Sequence, residues 1–364
     1  MLTNLLEKTT VHKNHWPSLD SKIAVCMSGG VDSSVSAYLL RQNGYTAIGL
    51  TGWLIKGSGR CCDNGMIDAA KVSEQIGINH ISKDLRVFFK QEIVDPFINS
   101  YNIGSTPIPC ITCNTTIKWG SLMQYAFSEL GFTHIATGHY AKLIKEKDSF
   151  KIVRPKDKNK DQTFMLWGLT QDVLSKTVFP LGDLTKDEVR EIAKEGNLIV
   201  AEKEESQDIC FVSDKEGTQG FLGKYLQAKE GYIIENKTGK VLGTHQGTHN
   251  YTVGQRKGLG IAYIEPLYVV KLDVEKNIVY AGTKDELEGF ELIVKDINWI
   301  NSSHVHVMAK IRYNSKTYFA SVQLLEENKA KVTFNEPQSA ITPGQACVFY
   351  DETDEVLLGG GWII

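Results

Sequence analysis

Residues 22–34 read Lys-Ile-Ala-Val-Cys-Met-Ser-Gly-Gly-Val-Asp-Ser-Ser. The apolar run 22–27 predicts a short buried strand. Ser28-Gly29-Gly30 predicts a turn, and Val35, Leu39 and Leu40 give the stretch Asp32–Gln42 one apolar helical face. Two glycines let a backbone approach an anion closely, and the helix that follows offers unpaired N–H groups and the positive end of its dipole. Ser28 and Ser33 can donate hydroxyl hydrogens to phosphate oxygens, and the Asp32 carboxylate suits a Mg²⁺ held together with phosphates. A tight strand–helix turn is the plainer reading of two glycines. The full Ser-Gly-Gly-x-Asp-Ser after an apolar strand favours a phosphate loop over residues 28–34. No Gly-x₄-Gly-Lys-Ser/Thr occurs anywhere in the chain, so the loop is not of the Walker type.

Outward from this loop, Thr46–Leu50 and His134–Thr137 read as further strands and Met66–Ile76 as a helix closed by Gly77. Strands alternating with helices predict a parallel sheet covered on its faces, and the pattern runs to about residue 215. Beyond Phe221 the texture changes to short strand-like runs at Gly231-Tyr-Ile-Ile, Val241-Leu, Tyr251-Thr-Val, Tyr268–Leu272 and Ile278–Ala281. It continues through Ala309–Tyr313, Ala320–Leu324, Ala330–Phe334 and Ala346–Tyr350. The expected organisation is an α/β domain over 1–215, a central β-rich domain over 216–285 and a C-terminal β-barrel domain over 286–364.

The 364 residues carry a net charge of −3, so any nucleic-acid surface must be local. No apolar stretch reaches the roughly 18 residues of a membrane span. Met1–Asp20 has no signal-peptide apolar region, so the expected location is the cytoplasm, with no membrane partner. One local surface stands out. Between Lys142 and Lys160 eight basic residues meet three acidic ones, a composition suited to phosphate backbones and equally to a solvated face. Gly138-His139 directly follows a predicted strand, at the end where parallel-sheet enzymes present ligands.

Seven cysteines in a reducing compartment point to chemistry or burial rather than structural bridges. Cys110-Ile-Thr-Cys113-Asn114 follows Pro107 and Pro109, and Cys210 lies about a hundred residues on in Glu205-Ser-Gln-Asp-Ile-Cys-Phe. A Cys-x-x-Cys alone serves zinc, redox chemistry and coincidence alike. Cys61-Cys62 with Cys110 and Cys113 form a second, four-thiolate zinc possibility, disfavoured because adjacent cysteines make awkward co-ligands. Cys26 and Cys347 sit in apolar strands and read as core.

Pro-x-Pro-Cys-x-x-Cys-Asn with the downstream Ser-x-Asp-Ile-Cys-Phe resembles the bacterial tRNA-specific 2-thiouridylases. So do Lys160-Asp161-Gln162-Thr163-Phe164, Phe179-Pro-Leu-Gly-Asp-Leu-Thr-Lys and Tyr251-Thr-Val-Gly-Gln-Arg-Lys-Gly-Leu-Gly. The glycine loop itself is similar to the PP-loop of N-type ATP pyrophosphatases. The resemblance runs from about residue 22 to the C-terminus. It implies a PP-loop domain followed by two small β-rich, barrel-like domains, and an ATP-dependent enzyme that adenylates O2 of the wobble uridine in a tRNA anticodon and exchanges it for sulfur. Cys113 is then the nucleophile and Cys210 the carrier of a persulfide, supplied by a sulfur-donor or relay protein. ATP with Mg²⁺ would sit on Cys26, Met27, Ser28, Gly29, Gly30, Val31, Asp32 and Ser33, and against Gly138. His139, Lys160, Asp161, Gln162, Arg312, Tyr313 and Gln345 match positions that touch tRNA.

The chain departs from the family in two places. Many members carry an aspartate where Cys110 stands. Cys110, Cys113 and Cys210 therefore also resemble the three-cysteine set with which related tRNA thiolases hold a 4Fe–4S cluster, so persulfide and cluster chemistry both stay open. The segment Leu50-Thr51-Gly52 lacks the bulky apolar residue that relatives set against adenine. Two other classes compete: a small-molecule PP-loop ligase, which has no need of paired cysteines or a basic stretch, and a non-catalytic RNA-binding module, against which the intact glycine loop argues.

Overall fold

The computed structural model describes residues 16–56, 63–204, 209–213 and 215–364. Cys61 and Cys62, and with them the zinc reading, lie outside the described residues, as do most of Met1–Asp20 and the segment 205–208. Seven strands precede residue 180: β1 (Lys22–Cys26), β2 (Thr46–Trp53), β3 (Asn79–Asp84), β4 (His134–Thr137), β5 (Lys142–Glu146), β6 (Ser149–Val153) and β7 (Thr177–Val178). Five of them form a wholly parallel sheet in the order β3-β2-β1-β4-β7. Ile23, Ala24 and Val25 of β1 are fully buried, as a strand covered on both faces requires. The covering helices are α1 (Val31–Gln42), α2 (Asp63–Ile76), α3 (residues 86–102), α4 (residues 109–128) and α5 (Lys186–Glu195), the last started by a capping box between Thr185 and Glu188.

The chain leaves β1 toward β2 and β3, then returns to place β4 on the other side of β1. The order of the sheet therefore reverses between β1 and β4. In open parallel sheets the crevice at the carboxyl ends of such a strand pair is the ligand site. Ser28–Gly30 and Gly138–His139 both emerge there.

A small four-stranded sheet follows, made of β8 (Gly231–Glu235), β9 (Val241–His245), β10 (Tyr268–Asp273) and β11 (Ile278–Gly282) in the order β10-β11-β8-β9. Tyr251-Thr-Val, expected as a strand, is instead a loop after the short turn Thr248–Asn250. Gln255 accepts the Thr252 N–H and Gly254 takes φ 89°, so this backbone closes a turn rather than a ladder. Its apolar residue is nonetheless buried, because Tyr251 packs edge-on against His245 at 5.5 Å.

The third unit comprises β12 (Glu288–Trp299), β13 (His306–Lys310), β14 (Tyr318–Leu325), β15 (Lys329–Ser339), β16 (Ala346–Tyr350) and β17 (Val356–Ile363). These six close into a barrel through the β12–β17 pairing. Its sheet also recruits β6 and β5, so a hairpin inserted in the α/β unit extends the C-terminal barrel. The hairpin interrupts the strand–helix alternation expected to run unbroken to 215. Phe164, Trp167 and Phe179 share one apolar core with Ala346, Val348 and Leu357, so barrel and α/β unit are packed together rather than linked by a tether.

Candidate active site

The glycine loop has the geometry its residue types predict. Gly30 precedes α1 in extended conformation, and no side chain caps the helix. The Ser28 N–H donates to Ser33 Oγ at 3.2 Å, and that hydroxyl donates to the Gly30 carbonyl at 3.2 Å, so the loop braces itself. Gly29 has φ 72°, and a Cβ there would stand 2.1 Å from the Gly65 carbonyl oxygen. A Cβ on Gly138 would stand 2.7 Å from the Ser33 amide nitrogen, so β4 can end against the loop only without a side chain. A Cβ on Gly30, by contrast, would meet only Ser28 Oγ at 3.5 Å. That space lies open beside an uncapped helix start, which fits an approaching phosphate.

Charge around the loop is arranged by residues that the sequence did not single out. Asp32 accepts from Lys186 Nζ at 2.6 Å and from the Tyr140 hydroxyl at 2.9 Å. Lys186 is buried, so the carboxylate expected to face Mg²⁺ is already half of a shielded ion pair. Lys203 Nζ donates to the Gly29 carbonyl at 2.8 Å and to Asp68 at 2.6 Å, tying the backbone just before the 205–210 segment to the loop.

A cavity of about 310 Å³ opens from the loop. Ser28, Asp32 and Ser33 line one side, Leu50, Leu54, Met66 and Phe89 form an apolar wall, and Cys110, Cys113 and Cys210 line the far side. The volume falls at the lower end of the range typical for small-molecule sites. Open glycine, bare helix start and apolar wall together suit a nucleotide. Gly52 also lines the cavity, and a Cβ on it would stand 3.2 Å from the Leu54 side chain, which lines the cavity too.

Helix α4 places Cys113 by an unusual backbone. Over Cys113–Leu122 its hydrogen bonding widens to the i→i+5 π pattern. Cys113, Asn114, Ile117, Lys118 and Leu122 all line the cavity. An α-helix turns about 100° per residue, so residues five apart would diverge by roughly 140°; π geometry keeps residues four and five apart on one face. Cys210 reaches the same cavity because its neighbour Phe211 packs its ring edge-on against Phe97 at 5.1 Å and Phe89 at 5.8 Å. Cys110 is exposed, while Cys113 and Cys210 are half-buried. Cys26, read as core, is in fact in the cavity wall, and burial pushes its thiol up to about 12, with Lys118 pulling the other way. Cys347 is buried in the barrel. Among the described residues no three Cys, His, Asp or Glu side chains converge as a metal-holding group.

His139 is buried and stacks on Trp119, with ring centroids 5.5 Å apart. Its Nδ1 is 2.8 Å from Thr137 Oγ1 and its Nε2 is 3.5 Å from Lys118 Nζ. An ammonium only donates, so Nε2 accepts and Nδ1–H faces Thr137. Burial first, and the Lys118 charge second, hold this imidazole well below its ordinary range, so it is neutral at physiological pH.

The remaining residues expected to meet tRNA divide in two. Gln162 lines the cavity, held there by its side-chain oxygen accepting the Tyr140 N–H at 3.0 Å. The others lie outside the cavity lining. Asp161 binds Arg154 and accepts from Thr163 Oγ1 at 2.7 Å, so its carboxylate is spent on internal structure. Tyr313 donates to the Asp161 carbonyl at 3.1 Å, and Arg312 donates to the Ala340 carbonyl. Gln345 donates to the Thr106 carbonyl at 2.8 Å, just before Cys110. Lys160 ends the short turn Lys158–Lys160. Much of the basic stretch is matched by acids from elsewhere: Lys142 with Asp183, Arg154 with Asp161 and Asp354, Lys156 with Glu188 and Lys158 with Glu355. A sequence count of charge cannot see partners two hundred residues away.

Residues 21–214 match the family described as tRNA methyl transferase HUP domain. Residues 219–283 match the tRNA methyl transferase PRC-barrel domain, and 290–363 the aminomethyltransferase beta-barrel domain. The chain is 47% identical over 348 residues to a protein of Nostoc punctiforme named tRNA-specific 2-thiouridylase MnmA, covering 94% of this chain and 98% of that one. A protein of the same name from Synechocystis is 43% identical over 351 residues, covering 95% and 97%. Among solved structures the chain overlaps loosely with the U34-tRNA thiolase NcsA from Methanococcus maripaludis with its 4Fe–4S cluster. That likeness has 20% identity and a TM-score of 0.39, and covers 58% of this chain and 67% of that one.

Proposed function

The chain belongs to the tRNA-specific 2-thiouridylase family, and from that premise we propose that it is a tRNA-modifying sulfurtransferase acting on the wobble uridine in the cytoplasm. The observation that carries the reading is the single cavity onto which the glycine loop, Gly138-His139, Cys113 and Cys210 all open. Residues 26–33 would hold ATP, and Asp32 would be the carboxylate facing a Mg²⁺, which would supply charge neutralisation for the departing pyrophosphate. The uridine O2 attacks the α-phosphorus and pyrophosphate leaves, which turns O2 into a leaving group. Cys210 carries a persulfide sulfur delivered by a relay protein. Cys113 attacks the inner sulfur, forming the Cys113–Cys210 disulfide and releasing hydrosulfide, which adds at C2 and expels AMP. A dithiol reductant then restores both thiols.

His139 enters this scheme as a neutral hydrogen-bonding wall for the base rather than a proton carrier, consistent with its depressed titration. Anticodon uridine must leave its stack to enter the cavity. Gln162 and His139 line the way in, and the remaining RNA contacts fall to Lys160, Arg312, Tyr313 and Gln345 around the packed barrel.

Cys113→Ser and Cys210→Ser separate the two halves of the reaction. Each is expected to abolish 2-thiouridine formation while tRNA-dependent release of pyrophosphate persists near the wild-type rate. Loss of pyrophosphate release in both variants would overturn the division between adenylation and sulfur transfer.

A further inference from the structure

Lys118 is the one lysine or arginine among the described residues that line the cavity. Its ammonium is anchored by Asn114 Oδ1 at 2.8 Å and stands 3.5 Å from His139 Nε2. Both neighbours are neutral, and among the described residues no carboxylate pairs with it. Asp32, the acid in the cavity wall, is neutralised by Lys186. A half-buried cation held by neutral acceptors is a site prepared for an anion, because its lost hydration is not yet offset by an opposite charge.

Its position says which anion. His139 follows Gly138, whose Cα packs against the Asp32–Ser33 backbone of the glycine loop. Cys26, whose thiol feels the Lys118 charge, is the last residue of the strand leading into that loop. Lys118 therefore faces the ends of β1 and β4, where the phosphate loop emerges, while its own helix carries Cys113. Only the π stretch of α4 lets both residues look into one cavity.

We propose that Lys118 is a catalytic cation for the adenylation step, contacting the nucleotide α-phosphoryl group and, afterwards, the phosphate of the adenylated uridine. This rests on the proposed function and deepens it. As the O2–phosphorus bond forms and the bond to pyrophosphate breaks, negative charge builds on the non-bridging oxygens of the α-phosphorus. Lys118 stabilises that charge and stays protonated throughout. Asn114 aims the ammonium, and neutral His139 leaves its charge undiminished.

The test uses the full chain with an unmodified tRNA transcript and ATP. Lys118→Met is expected to cut tRNA-dependent pyrophosphate release by about 100-fold or more, the scale seen when a preorganised donor to a developing oxyanion is removed. Lys118→Arg is expected to retain part of the rate. Persulfide loading of Cys210 from inorganic polysulfide, whose sulfane sulfur passes to the thiolate while the shortened polysulfide leaves, and alkylation of Cys113, both read by mass spectrometry, are expected at wild-type levels. In Lys118→Met the His139 imidazole, followed by NMR, should titrate closer to 6.5 than in the parent, reporting a folded site that has lost only the charge. Wild-type pyrophosphate release from Lys118→Met overturns the proposal. Unchanged release with slowed Cys113 alkylation also overturns it, assigning Lys118 to the thiolate instead. Should Lys118→Met fail to fold, Asn114→Ala replaces it: loss of pyrophosphate release with intact persulfide loading supports the proposal, and full release refutes it. If the parent protein releases no pyrophosphate with tRNA, the adenylation reading fails first and this one with it.

Discussion

Gly30 and Gly138 sit within one small loop system and carry opposite burdens. A methyl group on Gly138 would collide with backbone, which cannot swing aside, whereas one on Gly30 meets no protein atom closer than 3.5 Å. Gly138→Ala is therefore expected to lower stability by about 1–3 kcal/mol, the usual scale of overpacking, with a matching fall in melting temperature. Gly30→Ala, whose backbone suits alanine, should melt like the parent yet lose most ATP turnover, because the space it fills is the one left for phosphate. Equal melting losses in both variants, measured by calorimetry, would show that Gly30 is a packing glycine after all. Cys110 belongs at this scale as well. It is the most exposed thiol of the cavity, and it lies close enough to Tyr313 for its charge to help raise that phenol, after burial. Cys110→Ser is expected to thiolate like the parent, since the proposed sulfur transfer uses only Cys113 and Cys210. An iron-containing parent that loses its iron and activity in this variant would reverse that conclusion.

Among the elements, the β5–β6 hairpin ties the α/β unit to the barrel through the β6–β17 pairing. Its anchor is Arg154, which donates to the Asp354 carboxylate and carbonyl, each at 2.6 Å, binds Asp161 and lies 3.9 Å from the centre of the Tyr350 ring. Removing it strands a largely buried Asp161 carboxylate. Arg154→Ala should cost about 3 kcal/mol and open residues 142–162 to limited proteolysis, whereas Lys145→Ala on the exposed edge should do neither. Equal protease resistance in the two variants would deny the hairpin this docking role. Helix α4 teaches the complementary lesson. The i→i+5 pitch that brings Cys113 and Lys118 to one cavity adjoins Met165, whose carbonyl accepts from the Asn114 amide, a partner about fifty residues away.

At the scale of the whole molecule, three units meet on the loop before Cys110. The Thr106 N–H donates to the Pro343 carbonyl at 2.9 Å, its hydroxyl pairs with Thr252 of the central unit at 3.1 Å, and its carbonyl accepts from Gln345. A tRNA bound across the β units would thus press on the backbone that leads into the reactive cysteines. The same packing buries His139 and His245 and half-buries His80, His134 and His249, and in each burial is the main reason the imidazole titrates below 6.5. The folded state then binds fewer protons than the unfolded chain near that pH. Stability is therefore complete above about pH 6.5 and declines as the pH falls toward 5, well before the carboxylates titrate. Melting temperatures that stay flat from pH 7 to 5 would contradict this.

How far the sequence speaks follows from the range of each interaction. The glycine loop, the parallel alternation around it and the β texture beyond Phe221 were legible, because turns, helix starts and strand periodicity are set by residues a few positions apart. Cys113, Cys210 and Gly138-His139 were singled out by the motifs of a resembling family, since local spacing alone leaves a Cys-x-x-Cys ambiguous. The chain alone could not show that Lys186 neutralises Asp32, that Lys118 shares a face with Cys113, that the basic stretch is met by distant carboxylates, or that residues 142–153 belong to the barrel. Each of those depends on charges and surfaces brought together from tens to two hundred residues apart. Only the folded sheet, with its order reversing between β1 and β4, brings them to one place.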